Sequence, residues 1–242
     1  MPNSDSLIIQ VADRVRNVRQ RIEAAAAKSG RLGSDVRLVA VSKYASVGDG
    51  IVEALIAAGC LDLGESRPQL LIEKAEHCAG HEMPIRWHLI GSLQRNKARK
   101  VLPIVTQIHS LDSVKLAEAV DRIAEEKQLP PVHCLLEVAV SNDLNKHGFV
   151  PLSVPAALDE LGNFKNIVID GLMCMAGLES NETQVRREFE SARLLAESLQ
   201  KNGTPPNVAM TELSMGMSGD FEIAVEEGAT LVRIGSLLYP ER

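Results

Sequence analysis

An α/β chain folded as a single (β/α)8 TIM barrel with an extra N-terminal helix is what this sequence predicts, on three observations. Eight short apolar runs recur, the first starting at Val36 and the last at Thr230, so the seven intervals average about 28 residues, near the ~30 of a βαβ unit. Amphipathic stretches fill the intervals. The interiors of the runs, such as Leu38-Val39-Ala40-Val41, are almost continuously apolar, as in parallel strands covered on both faces. No Gly/Ser-rich linker or low-complexity tract divides the chain. Residues 1–35 therefore read as a helical segment packed on a barrel of residues 36–242, one domain overall. An open doubly wound sheet would call for a glycine-rich turn after the first strand, where Val41-Ser42-Lys43-Tyr44 stands instead.

The opening helix, residues 5–29, follows from Ile8, Val11, Val15, Val18 and Ile22 at three- and four-residue steps, with Gly30 and Gly33 ending it. Strands are expected at 36–42, 61–64, 85–90, 107–110, 132–139, 167–173, 208–213 and 230–234. Helical segments are expected at 47–58, 68–79, 94–102, 114–127 and 181–201, and another after Asp220. Pro130-Pro131 and Pro205-Pro206 end helices and set extended entries to the strands that follow.

Composition removes several function classes. The 242 residues carry 26 Lys+Arg against 32 Asp+Glu, a net charge of −6, and seven aromatics, which argues against a nucleic-acid binder. At 45% hydrophobic and 24% charged, the chain is globular, not disordered. No apolar run approaches the ~20 residues of a membrane span, and Met1-Pro2-Asn3-Ser4-Asp5 lacks signal-peptide character. Cys60, Cys78, Cys134 and Cys174 are scattered, the pattern of reduced cytoplasmic thiols.

In such a barrel the chemistry lies at the C-terminal ends of strands. Lys43 ends the first. A rim lysine that loses hydration becomes an amine able to attack a carbonyl, although alone Lys43 also reads as a lysine reaching solvent. Strand seven runs into Ser214-Met215-Gly216-Met217-Ser218-Gly219-Asp220, and strand eight ends Arg233-Ile234-Gly235-Ser236. Loops at these two positions commonly bind phosphate, through glycine N–H groups, hydroxyls and a helix N-terminus. Ser218 as a mere helix cap is the plainer alternative. Arg233 interrupts an apolar strand, where a guanidinium must be paired or turned outward. Together these residues suggest a site for a phosphorylated carbonyl compound.

Val39-Ala40-Val41-Ser42-Lys43, Gly64-Glu65, Trp87-His88-Leu89-Ile90-Gly91-Ser92-Leu93-Gln94-Arg95-Asn96-Lys97, Leu213-Ser214-Met215-Gly216-Met217-Ser218 and Arg233-Ile234-Gly235 resemble the signatures of the YggS/PROSC family, the pyridoxal phosphate homeostasis family. The likeness runs in order over residues 36–239. It implies a barrel similar to the alanine racemase N-terminal domain, binding pyridoxal 5′-phosphate (PLP) without catalytic turnover. It also implies a cytoplasmic monomer that buffers or delivers PLP through transient contacts with PLP-dependent apoenzymes. By the same resemblance Lys43 is the Schiff-base lysine, Ser214, Ser218, Gly235 and Ser236 lie where the phosphate is gripped, and Met215 counts among the cofactor-binding residues. Arg233 resembles the arginine that faces the cofactor, and His88 lies near the pocket. Ser66 also falls near the cofactor, and three departures are visible: Ser66 stands where the family reads Asn, Ser236 where Thr is usual, and Pro240 where Gly is common.

Two other functions compete. An amino-acid racemase of the alanine racemase type would need a second base from an appended β domain, and the chain stops seven residues after Gly235. A Schiff-base aldolase would need carboxylates near Lys43, with Glu65 and Glu137 as candidates. Elsewhere the plainer readings prevail. His77-Cys78-Ala79-Gly80-His81 lacks a second ligand pair, so no metal is expected. Arg95, Lys97, Arg99 and Lys100 read as a solvated helix face. Asn145-Lys146-His147-Gly148 reads as a turn that also offers a second amine near the mouth, and Met173-Cys174-Met175 as rim packing.

Overall fold

A computed structural model describes residues 4–141 and 148–240. Asn145, Lys146 and His147 lie outside the described residues. Eight parallel strands close in sequence order: β1 (Arg37–Val41), β2 (Asp62–Glu65), β3 (Arg86–Leu89), β4 (Val105–Leu111), β5 (Val132–Glu137), β6 (Ile167–Met173), β7 (Val208–Ser214) and β8 (Leu231–Ile234). β8 pairs back onto β1, with Val39 opposite Arg233 and Ala40 opposite Ile234. Closure leaves no unpaired edge, and the near-continuous apolar runs follow from it, since both faces of each strand are covered.

The helices are α1 (Ser4–Lys28), α2 (Ile51–Ala57), α3 (Pro68–His77), α4 (Arg95–Val101), α5 (Val114–Glu126), α6 (Val154–Leu161), α7 (Glu182–Asn202) and α8 (Phe221–Glu226). Among the described residues seven of them, α2 to α8, lie between strands, and β8 is followed by a short 3-10 turn, Ser236–Leu238. The N-terminal helix completes the ring. α1 packs between α2 and α8 and buries Val11, Val15, Val18, Ile22, Ala25 and Ala26. Arg21 pairs with Glu222 at 2.9 Å and Lys28 with Glu226 at 2.7 Å, fastening α1 to α8. Thus α1 is extra to the strand–helix repeat but stands where a helix after β8 would lie.

Local differences from the sequence reading have local causes. The helix expected from residue 47 begins at Ile51. Asp49 accepts the N–H groups of Ser46 and Ile51, and Gly48 and Gly50 take φ of 83° and 81°, holding a turn there. β4 extends two residues before the expected start, through Val105 and Thr106. The sequence reading did not single out α6, which is eight residues long and led by a proline.

Candidate functional site

The β1–β8 pairing sends Lys43 and Gly235-Ser236 out of the barrel at adjacent strand ends. Lys43 is exposed, with Nζ 4.8 Å from the centre of the Tyr44 ring. Gly235 N–H donates to Ser218 Oγ at 3.4 Å, joining the β7 and β8 loops, and Ser236 is exposed beside them. Gly216 makes the β7 loop possible: its φ is 90°, and a Cβ there would meet the Ala224 Cβ at 2.6 Å. Four of the expected residues, Lys43, Ser218, Gly235 and Ser236, therefore occupy one sector of the mouth.

Beneath the mouth runs a line of hydrogen bonds, exposed at Arg86 and buried from Asp62 inward. Arg86 clasps Asp62 through both carboxylate oxygens, at 2.7 and 2.6 Å. Asp62 Oδ1 lies 3.0 Å from His88 Nε2, His88 Nδ1 2.9 Å from His109 Nε2, and His109 Nδ1 2.8 Å from Ser214 Oγ. Arg233 donates to Ser214 Oγ at 2.6 Å, to the Ser214 carbonyl at 2.7 Å and to the Cys174 carbonyl at 3.0 Å. Burial, with the positive charges of His88, Arg233 and Arg37, holds His109 well below the usual histidine range. Burial alone would raise Asp62, but hydrogen bonds from Arg86 and His88 outweigh it and keep the carboxyl ionised. The ends of the line have fixed directions: the Asp62 carboxylate accepts from Arg86 and His88, and the Ser214 oxygen accepts from Arg233, while the roles of the ring nitrogens between them follow the tautomers.

Several expected residues belong to this network or lie beside it. Ser214 is fully buried, with its hydroxyl bonded to His109 and Arg233. Met215 is also fully buried, and its N–H donates to the Leu231 carbonyl. His88 lies inside the barrel, three hydrogen bonds from Arg233 by way of His109 and Ser214. Arg233 itself is 4% exposed, turned inward and paired. Ser66 directs both its N–H and its hydroxyl at Glu65 Oε1. The helix terminus expected to help hold an anion is weak. α8 has six residues, and the Asp220 carboxylate before it already takes the Met217 N–H at 2.6 Å.

Glu65, the carboxylate an aldolase would use, is fully buried and ion-paired to Lys74 at 2.5 Å. It is locked away from acid–base work. Away from the mouth, His77 pairs with Glu53, and Arg99 with Glu126.

The chain from residue 14 to 242 matches the family model for the alanine racemase N-terminal domain. It is also 39% identical over 211 residues to the pyridoxal phosphate homeostasis protein of Synechocystis sp., covering 87% of this chain and 94% of that one. The protein of the same name from Aquifex aeolicus is 35% identical, covering 97% and 99%. The chain belongs to the pyridoxal phosphate homeostasis protein family. A solved member, PipY of Synechococcus elongatus PCC7942 with PLP bound, superposes with a TM-score of 0.81 at 36% identity, over 95% of this chain and 100% of that one. An alanine racemase of Clostridium difficile 630 shares the fold at a TM-score of 0.71 and 16% identity, over 95% of this chain and 56% of that one.

Asp62, His109 and Lys74 escaped the sequence reading of this homeostasis-family member. The signal existed for two of them. Asp62 and His109 are polar residues inside short apolar strands, as Arg233 is, and a charged or imidazole group there must find a buried partner. Lys74 sits on a helix, where a lysine is ordinarily solvent-facing, and nothing in its spacing marks it as buried.

His109 carries a pH prediction. Its folded value is depressed, so below the unfolded value of ~6.5 the unfolded chain takes up a proton that the fold refuses, and stability falls by up to ~1.4 kcal/mol per pH unit. His109→Gln should flatten the decline in melting temperature between pH 7 and 5 relative to the unaltered protein. Parallel melting curves over that window would assign the acid sensitivity elsewhere.

Proposed function

We propose that this protein binds PLP and serves its homeostasis, holding the cofactor at Lys43 and buffering or delivering it instead of turning over a substrate. One observation carries the reading: the exposed Lys43 amine leaves the barrel beside the joined Ser218 and Gly235-Ser236 loops. The donor set fits the cofactor, with a primary amine for an aldehyde and hydroxyl and glycine N–H donors for a phosphate. When bound, PLP would supply an aldehyde able to condense with a primary amine, a C=N bond replacing the C=O bond while the oxygen leaves as water with the two amine hydrogens.

The chain's own groups have distinct tasks. Ser218, Gly235 and Ser236 orient the phosphate. Ser214 and the Cys174 carbonyl pin the Arg233 guanidinium, so that a permanent cation stands under the mouth. A cation facing the ring nitrogen keeps that nitrogen unprotonated and weakens the ring as an electron sink. Glu65, locked to Lys74, withholds the nearest carboxylate from proton transfer. These features favour holding over racemisation. No helix among the described residues is long and apolar enough to cross a membrane, and none of the four cysteines forms a disulfide among the described residues. The reading extends to a cytoplasmic monomer that meets apoenzymes transiently.

Titration with PLP and with pyridoxal tests the phosphate grip. A hydrogen bond to a charged group contributes ~1.5–3 kcal/mol, so Ser218→Ala and Ser236→Ala should each weaken PLP at least about tenfold where the contact is made, with pyridoxal scarcely changed. Equal losses for both ligands would show that these serines only shape the pocket. The holding role has its own check: solvent-deuterium exchange into the α position of alanine should stay at background. Exchange at enzyme-like rates that depends on Lys43 would restore the racemase reading.

A further inference from the structure

Three successive backbone carbonyls at the end of β1 each receive a hydrogen bond from a side chain of a different segment. Tyr239 Oη donates to the Val41 carbonyl at 2.6 Å, Lys74 Nζ to the Ser42 carbonyl at 2.6 Å, and Arg67 Nη2 to the Lys43 carbonyl at 3.0 Å. The Ser42 carbonyl takes the Ala45 N–H as well, at 2.9 Å. The central donor is unusual. Lys74 is 1% exposed, and its charge is met by Glu65, itself fully buried. The other Glu65 oxygen accepts the N–H groups of Ser66 at 2.8 Å and Arg67 at 3.1 Å. One buried ion pair therefore ties the exit of β1 to the exit of β2, with Lys43 as the next residue along.

Such a pair is a weak source of net stability, since an apolar pair of similar volume often serves as well. Its directed contacts are the informative part. A lysine side chain has several freely rotating bonds, so the fold can limit the reach of the amine only by fixing the backbone that carries it. Three donors on three consecutive carbonyls do so.

We propose that Glu65 and Lys74, assisted by Arg67 and Tyr239, are positioning residues that hold the Lys43 backbone so that its amine meets an incoming aldehyde. The inference rests on the reading of Lys43 as the residue that holds PLP.

The test compares the unaltered full-length protein with a Glu65→Gln/Lys74→Met double variant, which removes both buried charges together and keeps an acceptor for Ser66 and Arg67. Two quantities are measured: the rate of forming the borohydride-fixed adduct with PLP, and the affinity for pyridoxine 5′-phosphate, which has no aldehyde. Capture should slow by about tenfold or more, the scale of a small misplacement of a reacting group, while pyridoxine 5′-phosphate binds as before. Amide exchange at Ala45 should rise in the same variant. Undiminished capture in the double variant, with the adduct still on Lys43, overturns the positioning role alone. No adduct on Lys43 in the unaltered protein removes the functional reading and this inference with it. Should the double variant fail to fold, Arg67→Ala decides, because Arg67 is exposed and its loss leaves the core intact. A few-fold slower capture supports the proposal, and an unchanged rate overturns it.

Discussion

Lys43→Ala is expected to abolish the borohydride-fixed adduct while leaving PLP bound without a covalent bond. Lys43 is exposed and its amine lies over the Tyr44 ring, so its removal should change stability by no more than ~0.5 kcal/mol. The Ser218 and Ser236 hydroxyl contacts to a charged phosphate, at ~1.5–3 kcal/mol each, would remain, which places the residual affinity roughly between millimolar and tens of micromolar. Mass spectrometry of reduced, digested protein checks the outcome, with the label on the Lys43 peptide of the unaltered chain and absent from the variant. A label found mainly on Lys146 would refute the assignment. Loss of the label together with loss of the fold would show that Lys43 acts in structure, against its exposure.

Glu65→Ala and Lys74→Met are expected to be the most damaging single changes around the mouth. Each strands one charge of a pair that is 0% and 1% exposed, and breaking a buried pair in this way costs ~3–5 kcal/mol. At ~2–4 °C per kcal/mol for a chain of this size, the melting temperature should fall by roughly 6–20 °C. The Glu65→Gln/Lys74→Met double variant should lose less than either single variant, recovering up to about half of that loss. It removes both charges and forfeits mainly the ammonium donor to the Ser42 carbonyl, a matter of ~1.5–3 kcal/mol. Thermal or urea melts of the two single variants and the double variant close the cycle. Additive losses in the double variant would mean that the two residues do not act as a pair.

The fold was legible because its signal is local. Parallel strands covered on both faces must be apolar almost throughout, and the β6 run from Ile167 to Met173 shows this so fully that its bounds could be read directly. The spacing of the runs gave their number, and a closed barrel follows from eight of them. Lys43, Ser218, Gly235 and Ser236 were legible for a related reason. A strand end fixes which rim a residue occupies, and barrel chemistry sits on the C-terminal rim.

Distances across the barrel have no sequence signature. His88 and His109 lie 21 positions apart, yet their rings meet at 2.9 Å because β3 and β4 are neighbours and both side chains turn inward. Ser214 and Ser218 are four residues apart in one motif, but a hydroxyl on β7 points to the interior while one in the following loop reaches the mouth. Only tertiary packing separates an internal spacer from a candidate phosphate contact. Lys74 shows the same limit, since α3 presents it to a pocket whose walls come from β1 and β2. By itself the sequence determined the barrel, the rim lysine and the two loops beside it, because strand period and strand ends are properties of consecutive residues. The tertiary structure decided which polar groups are buried and with what partners, because burial depends on what the rest of the chain lays over them.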